Sequence, residues 1–271
     1  MLTSVGLLAL SQSLLFAPQP DISLEITSGE QLNTWVFFAP HQNENIANQY
    51  LANKVTQTGG KFVRLQQSGQ RHIHLQIGEQ HYEIDPNRIF TPAGREATLL
   101  KLNKDLTSTS PDFVTAMALS QQLADFILAQ LQTPNWVAIH NNTQGFDDDG
   151  HQGRGTISIK RYQDKLAQGA KYLLKVHDAG QDEDDLFFIT EPTDYAHMQQ
   201  AGFNVVLQNP QVATEPDEDD GSLSVLAEKQ GRRYINIEAE RVDDDGFGQD
   251  HLTEQQQMID FVFEQLISTT P

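Results

Sequence analysis

The sequence predicts an α/β fold, a three-layer α/β/α sandwich around a mostly parallel or mixed central sheet. Three observations lead there. Residues 34–39 (TWVFFA) and 136–139 (WVAI) are continuous apolar runs, as in strands buried on both faces. Segments with four-residue apolar spacing follow such runs. No repeat or long linker breaks the alternation, which is the pattern of strands and crossover helices stacked in layers.

The elements follow in order. Residues 1–20 carry an apolar stretch of signal-peptide length that ends in small residues near Ala17 and lacks a basic start. Read as a signal peptide, it sends the protein to the periplasm or outside the cell. Read as structure, it is an N-terminal helix or strand packed on a cytoplasmic protein. It is too short to span a bilayer, and no other segment approaches transmembrane length. Residues 21–271 read as a single domain.

After the strand at 34–39, Pro40 and a polar turn lead into a helix over 45–58, with Ala47, Leu51 and Val55 on one face and Gly59-Gly60 at its end. Short strands are expected at 61–66, 71–77 and 81–84. Ser110, Pro111 and Asp112 supply a cap, a first-turn proline and a first-turn acid for a helix. Its stripe of Phe113, Met117, Ala124, Ile127 and Leu131 runs on to Pro134. Strands follow at 136–139, 172–176, 186–189, 205–207 and 234–237. Thr253 and Gln256 read as a capping box for a last helix that buries Met258, Val262 and Leu266.

The charge balance excludes some functions. Thirty-seven acidic against eighteen basic residues leave a formal charge of −19, with no basic stripe, so nucleic acid is not a partner. Acidic runs at 147–149, 182–185, 217–220 and 243–245 lack the alternate spacing and the late Glu of a calcium loop and read as solvated loops. With no Cys in the chain, any zinc site is built from His and carboxylates, the ligands of catalytic rather than structural zinc.

Three polar clusters each stand just beyond an apolar strand. His41-Gln42-Asn43-Glu44 follows TWVFFAP, His140-Asn141-Asn142-Thr143 follows WVAI, and Glu238-Ala239-Glu240 follows YINI. Parallel neighbouring strands would bring all three to one sheet edge, where α/β folds bind ligands. Two imidazoles and a carboxylate are a common catalytic zinc set, with a fourth position left for water. A His and a Glu with two residues between them in one turn can share an ion, and a free carboxylate nearby can act as general base.

In these residues the chain resembles the zinc carboxypeptidases of the carboxypeptidase A type and their relatives, the succinylglutamate desuccinylases and aspartoacylases. The resemblance spans about residues 34 to 262. It rests on His41-x-x-Glu44, on His140 after a later strand, on Asp85-Pro86-Asn87-Arg88 between them, and on Glu238. The stretch DPNRIF is similar to the motif of the desuccinylase branch. The resemblance implies a zinc-exopeptidase-like fold and one zinc ion on His41, Glu44 and His140. It makes Glu238 the catalytic base, and Asn87 and Arg88 the binders of a substrate carboxylate. The implied activity is cleavage of an amide bond beside that carboxylate. A metallocarboxypeptidase acting on small peptides comes first; an N-acyl-amino-acid deacylase, or a noncatalytic carboxylate-binding relative, is the alternative.

The third ligand is followed by Asn-Asn-Thr where the peptidases have Ser-Tyr. Arg71, Arg95 and Tyr195 are the candidates for a carbonyl-polarising Arg and a substrate-covering Tyr. Glu240 competes with Glu238 as base, because alternate strand residues share a face; its neighbours Arg241 and the acidic loop suit a solvated side chain. His72 and His74 read as an exposed strand face, and His177 and His251 as surface pairs with Asp178 and Asp250. His151 follows the 147–149 run in the loop after the third ligand and is not counted among the site residues.

Overall fold

A computed structural model describes residues 10–31, 34–146, 155–242, 246 and 248–267. Nine strands form one mixed sheet in the order β1-β2-β4-β3-β7-β11-β9-β10-β8. They are β1 (Leu10–Leu15), β2 (Ser23–Ser28), β3 (Trp35–Ala39), β4 (Lys61–Gln66), β7 (Asn135–Asn142), β8 (Leu173–His177), β9 (Leu186–Ile189), β10 (Val205–Gln208) and β11 (Arg233–Glu240). A separate hairpin pairs β5 (Ile73–Ile77) with β6 (Gln80–Ile84). The segment that also reads as a signal peptide contributes β1, which pairs antiparallel with β2, and Phe16, which packs buried against Phe126.

At the centre, β4, β3, β7 and β11 run parallel, so the predicted strands at 34–39, 136–139 and 234–237 are direct neighbours. All five residues of β3 and all eight of β7 are buried, which is why their sequences lack polar alternation. Strand alternation divides the core in two. Val36, Phe38, Trp136 and Ala138 face one layer, with helices α2 (Pro92–Leu102), α3 (Pro111–Leu128) and α6 (Leu223–Gln230). Trp35, Phe37, Val137 and Ile139 face the other, with α1 (Asn48–Thr58), α5 (Pro192–Gln200) and α7 (Leu252–Phe261). On the first face, helix α4 (Ile159–Ala167) packs over Leu186, Phe188 and Val206 farther along the sheet. The three layers are those the sequence predicts, and the sheet is mixed.

Several local expectations need correction. Helix α1 begins at Asn48 rather than 45, because residues 41–47 form the turn that carries His41 and Glu44. The last helix does not use the Thr253–Gln256 box. It starts at Leu252, so Thr253 is already helical, and His251 precedes it without a side-chain cap. The acidic run at 182–185 is not a solvated loop, since Glu183, Asp184 and Asp185 are all buried. The runs at 147–149 and 243–245, and His151, lie outside the described residues. Among the described residues no helix is long and apolar enough to cross a membrane.

Candidate metal centre

The parallel pairing of β7 with β11 sets His140 beside Glu238 in register. Both project from the face that carries Trp136 and Tyr234, at the carboxyl ends of their strands. β3 ends at Ala39, and a turn in which the Glu44 amide donates to the His41 carbonyl (3.2 Å) returns Glu44 toward His41. His41, Glu44 and His140 are thereby brought together and buried, with one ligand atom from each within 4.8 Å of the others.

The polar atoms of this group suit a cation. His41 Nε2 bonds to Asp85 Oδ1 at 2.9 Å, which turns Nδ1 toward Glu44 Oε1, also at 2.9 Å. Yet Nδ1 is fully buried and makes no hydrogen bond. An imidazole nitrogen and a carboxylate oxygen thus face each other without a hydrogen bond, a donor set that would suit a metal ion. His140 Nδ1 lies 2.8 Å from the other Glu44 oxygen. Burial alone would raise the Glu44 pKa, but the two histidines hold it well below the usual carboxylate range. Burial likewise opposes protonation of His41, and the Glu44 and Asp85 carboxylates overcome it and raise its pKa.

Asp85 is the residue that sequence reasoning undervalued. It appeared only as the first letter of a motif, yet it fixes the orientation of His41. The β5–β6 hairpin explains its position, since Asp85 directly follows β6 and Arg71 precedes β5. Arg71 donates to Glu44 and lies 3.7 Å from Asp85. Of the three candidates for the Arg and Tyr roles, Arg71 alone reaches the site. Arg95 is buried with Nη1 on the Ile89 carbonyl, and Tyr195 packs in the core layer of α5. Sequence reasoning also missed Asn142 and Asn236, which donate to the two oxygens of Glu238 at 3.4 and 2.9 Å.

Glu238 is buried, and burial raises its pKa although His140 and Asn236 pull the other way. Glu240 is buried too, not solvated. Its carboxylate accepts from the Gln249 amide at 2.9 Å and stands 4.0 Å from His251, away from the His41 group. His251 pairs with Asp185 at 2.9 Å rather than Asp250, and His177 meets Gln199 rather than Asp178. His72 pairs with Glu83 at 3.0 Å, and the hairpin histidines stay outside the metal group.

Asn87 Nδ2 lies 3.4 Å from His140 Nε2, and its Oδ1 accepts from the Leu223 amide. Arg88 faces Asp220 at 3.7 Å. Two cavities meet at Asn87, Arg88 and Glu238. One of about 550 Å³ also touches Glu44, His140, Arg71 and Arg241, and one of about 420 Å³ runs beneath α4 and α6.

No family model and no curated protein matches this chain. Solved structures do. The chain is similar to a tripeptide-bound cell shape determinant protein from Helicobacter pylori, with a TM-score of 0.43 and 12% identity over 91% of this chain and 56% of that one. It is similar to a succinylglutamate desuccinylase from Chromobacterium violaceum, with a TM-score of 0.42 and 12% identity over 91% and 65%. A succinylglutamate desuccinylase from Silicibacter sp. TM1040 gives 0.42 and 13% over 95% and 65%. The chain thus spans less than two thirds of each of these proteins.

Proposed function

We propose that the chain is a zinc-dependent amidohydrolase that cleaves an amide bond next to a free carboxylate. One observation carries this reading: buried ligand atoms of His41, Glu44 and His140 converge within 4.8 Å, with Glu238 in register beside His140. These three residues would hold the ion, in the two-imidazole, one-carboxylate set of catalytic zinc. When bound, zinc supplies Lewis acidity, acidifying water and polarising a carbonyl oxygen.

The chain's own groups do the rest. Glu238, with its pKa raised by burial, takes a proton from the attacking water and delivers it to the leaving nitrogen. Asn142 and Asn236 hold its two oxygens in place for that task. Arg88 grips the substrate carboxylate by paired hydrogen bonds, exchanging its Asp220 contact for the ligand, and Asn87 assists. A C–O bond forms as the C–N bond breaks, giving a carboxylic acid and an amine.

An N-acyl amino acid is the first-choice substrate, and the C-terminal residue of a small peptide the second. Cavities of about 420 and 550 Å³ flank Glu238, each the size of a small-molecule site, and suit an amino acid on one side and an acyl group on the other. The test is a panel of N-acyl amino acids and short peptides offered to zinc-loaded protein, with amine release as readout. Turnover of acyl amino acids above peptides supports the reading. Folded, zinc-loaded protein that cleaves nothing on the panel would instead be a noncatalytic carboxylate binder.

A further inference from the structure

The cavity of about 420 Å³ is more specific in chemistry than the amide-hydrolase reading requires. It opens at Arg88 and Glu238, so a substrate carboxylate held by Arg88 sends its neighbouring side chain into this space. Its floor is one face of β11, where Tyr234, Asn236 and Glu238 follow at alternate positions. Tyr162 of α4 and Tyr172 complete an aromatic wall. Tyr162 and Tyr234 are more than nine-tenths buried as residues, and both line this cavity. The Oδ1 of Asn236 is also buried and unpartnered. Buried polar groups are normally satisfied, so the unpaired Asn236 oxygen in the cavity lining indicates a polar ligand group.

The outer wall decides the sign of that group. It is the loop carrying Asp217, Glu218 and Asp220. Asp219 of the same run is already engaged by Lys229 at 3.2 Å and by the Thr91 hydroxyl at 2.6 Å. The loop is fixed to its surroundings. The Phe90 amide donates to the Gly221 carbonyl at 3.0 Å, and a Cβ on Gly94 would come within 2.1 Å of the Gly221 Cα. Burial, and then Glu218 and Asp220, push the Tyr172 hydroxyl up to about 12, a sign of negative potential over the cavity. Two cations line it, Arg88 and Lys165. Once a carboxylate takes Arg88, the carboxylates of Asp217, Glu218 and Asp220 outnumber the single Lys165. Aromatic faces with excess carboxylate are the recognition chemistry of an organic cation.

We propose that this cavity selects a leaving amino acid whose side chain ends in an amine or guanidinium group, a proposal that rests on the amide-hydrolase reading for its geometry. The substrate is then an acylated diamino or basic amino acid, with its α-carboxylate on Arg88 and its cationic end among Tyr162, Tyr172 and Glu218.

The test compares Nα-acetyl-lysine, Nα-acetyl-norleucine and Nα-acetyl-glutamate on the zinc-loaded full chain, with calorimetric binding of free lysine and norleucine alongside. The lysine substrate should exceed norleucine in kcat/KM by about ten-fold or more, the scale of hydrogen bonds to a charged group. Glu218→Gln and Asp217→Asn together should cut that ratio to roughly three-fold or less, as fewer carboxylates face the cation. A glutamate or norleucine preference, or a ratio that the double variant leaves in place, overturns the proposal. Should none of the three be cleaved, the wider acyl and peptide panel decides the hydrolase reading, and binding decides the cavity. Tighter binding of free lysine than of norleucine would still uphold the cavity's selectivity, and equal or absent binding would end it.

Discussion

Two groups of histidine and carboxylate side chains flank β11, built from the same residue types but differing in how their polar atoms are satisfied. In the first, His41, Glu44 and His140 are all buried, and a buried ring nitrogen of His41 makes no hydrogen bond. In the second, Asp182, Glu240 and His251 also come within ligand distance of one another, but Asp182 is exposed. There His251 pairs with Asp185 at 2.9 Å, and that bond drives its pKa to about 9. The second group carries its cation in His251 at neutral pH, while the first has Arg71 on Glu44 and still leaves a buried His41 nitrogen without a hydrogen bond. Donor type and proximity are common to both groups; full burial and the unpaired ring nitrogen set the first apart.

The largest break in this comparison is catalytic. Glu238→Gln should lower kcat by about 10²- to 10⁴-fold, the range of general acid–base catalysis, with zinc retained. Glu240→Gln, two residues along the same strand, should stay within roughly a few-fold, because its carboxylate serves the His251 group. Comparable losses in both variants would return Glu240 to contention as the base.

Asp85→Asn comes next. Weakening the carboxylate that orients His41 should reduce zinc affinity by about 10- to 100-fold, read by competition with a chelating indicator. Unchanged affinity would make Asp85 a bystander.

Gly221→Ala tests how the loops are held beside both sites. Its φ is +78°, and an added Cβ would lie 2.4 Å from the Arg88 carbonyl. The variant should lose roughly 1–3 kcal/mol in chemical denaturation and bind substrate less tightly. A variant of native stability and KM would show that the Gly94–Gly221 contact positions nothing.

The smallest expected effect is in pH. His251 is raised from 6.5 to about 9, so its contribution to stability is complete below pH 6.5 and lost as pH rises through 9. The melting temperature should fall across that window, and His251→Gln should flatten the fall. A slope that persists in the variant would assign it elsewhere, Asp184 being the first suspect, since burial raises it to about 8.

Much of this molecule is legible in its sequence because burial on both faces leaves a plain mark. TWVFFA, WVAI and YINI needed only their hydrophobicity to read as central strands, and the residues after them formed the site. What sequence could not supply was lateral contact. Asp85 reads as a loop acid until the hairpin lays it against His41, and Asn142 and Asn236 read as ordinary polar residues until the β7–β11 register brings them to Glu238. The run at 182–185 misled for a related reason. Composition reports charge, while its burial depends on tertiary partners such as the Gly145 amide on Asp184 and His251 on Asp185.

The claim that these two groups differ in kind is tested most directly by zinc content. Elemental analysis of purified, dialysed protein should find one zinc per chain in the wild type and in His251→Ala, and almost none in folded His140→Ala. Zinc kept by His140→Ala, or lost by His251→Ala, would place the metal elsewhere and contradict the account.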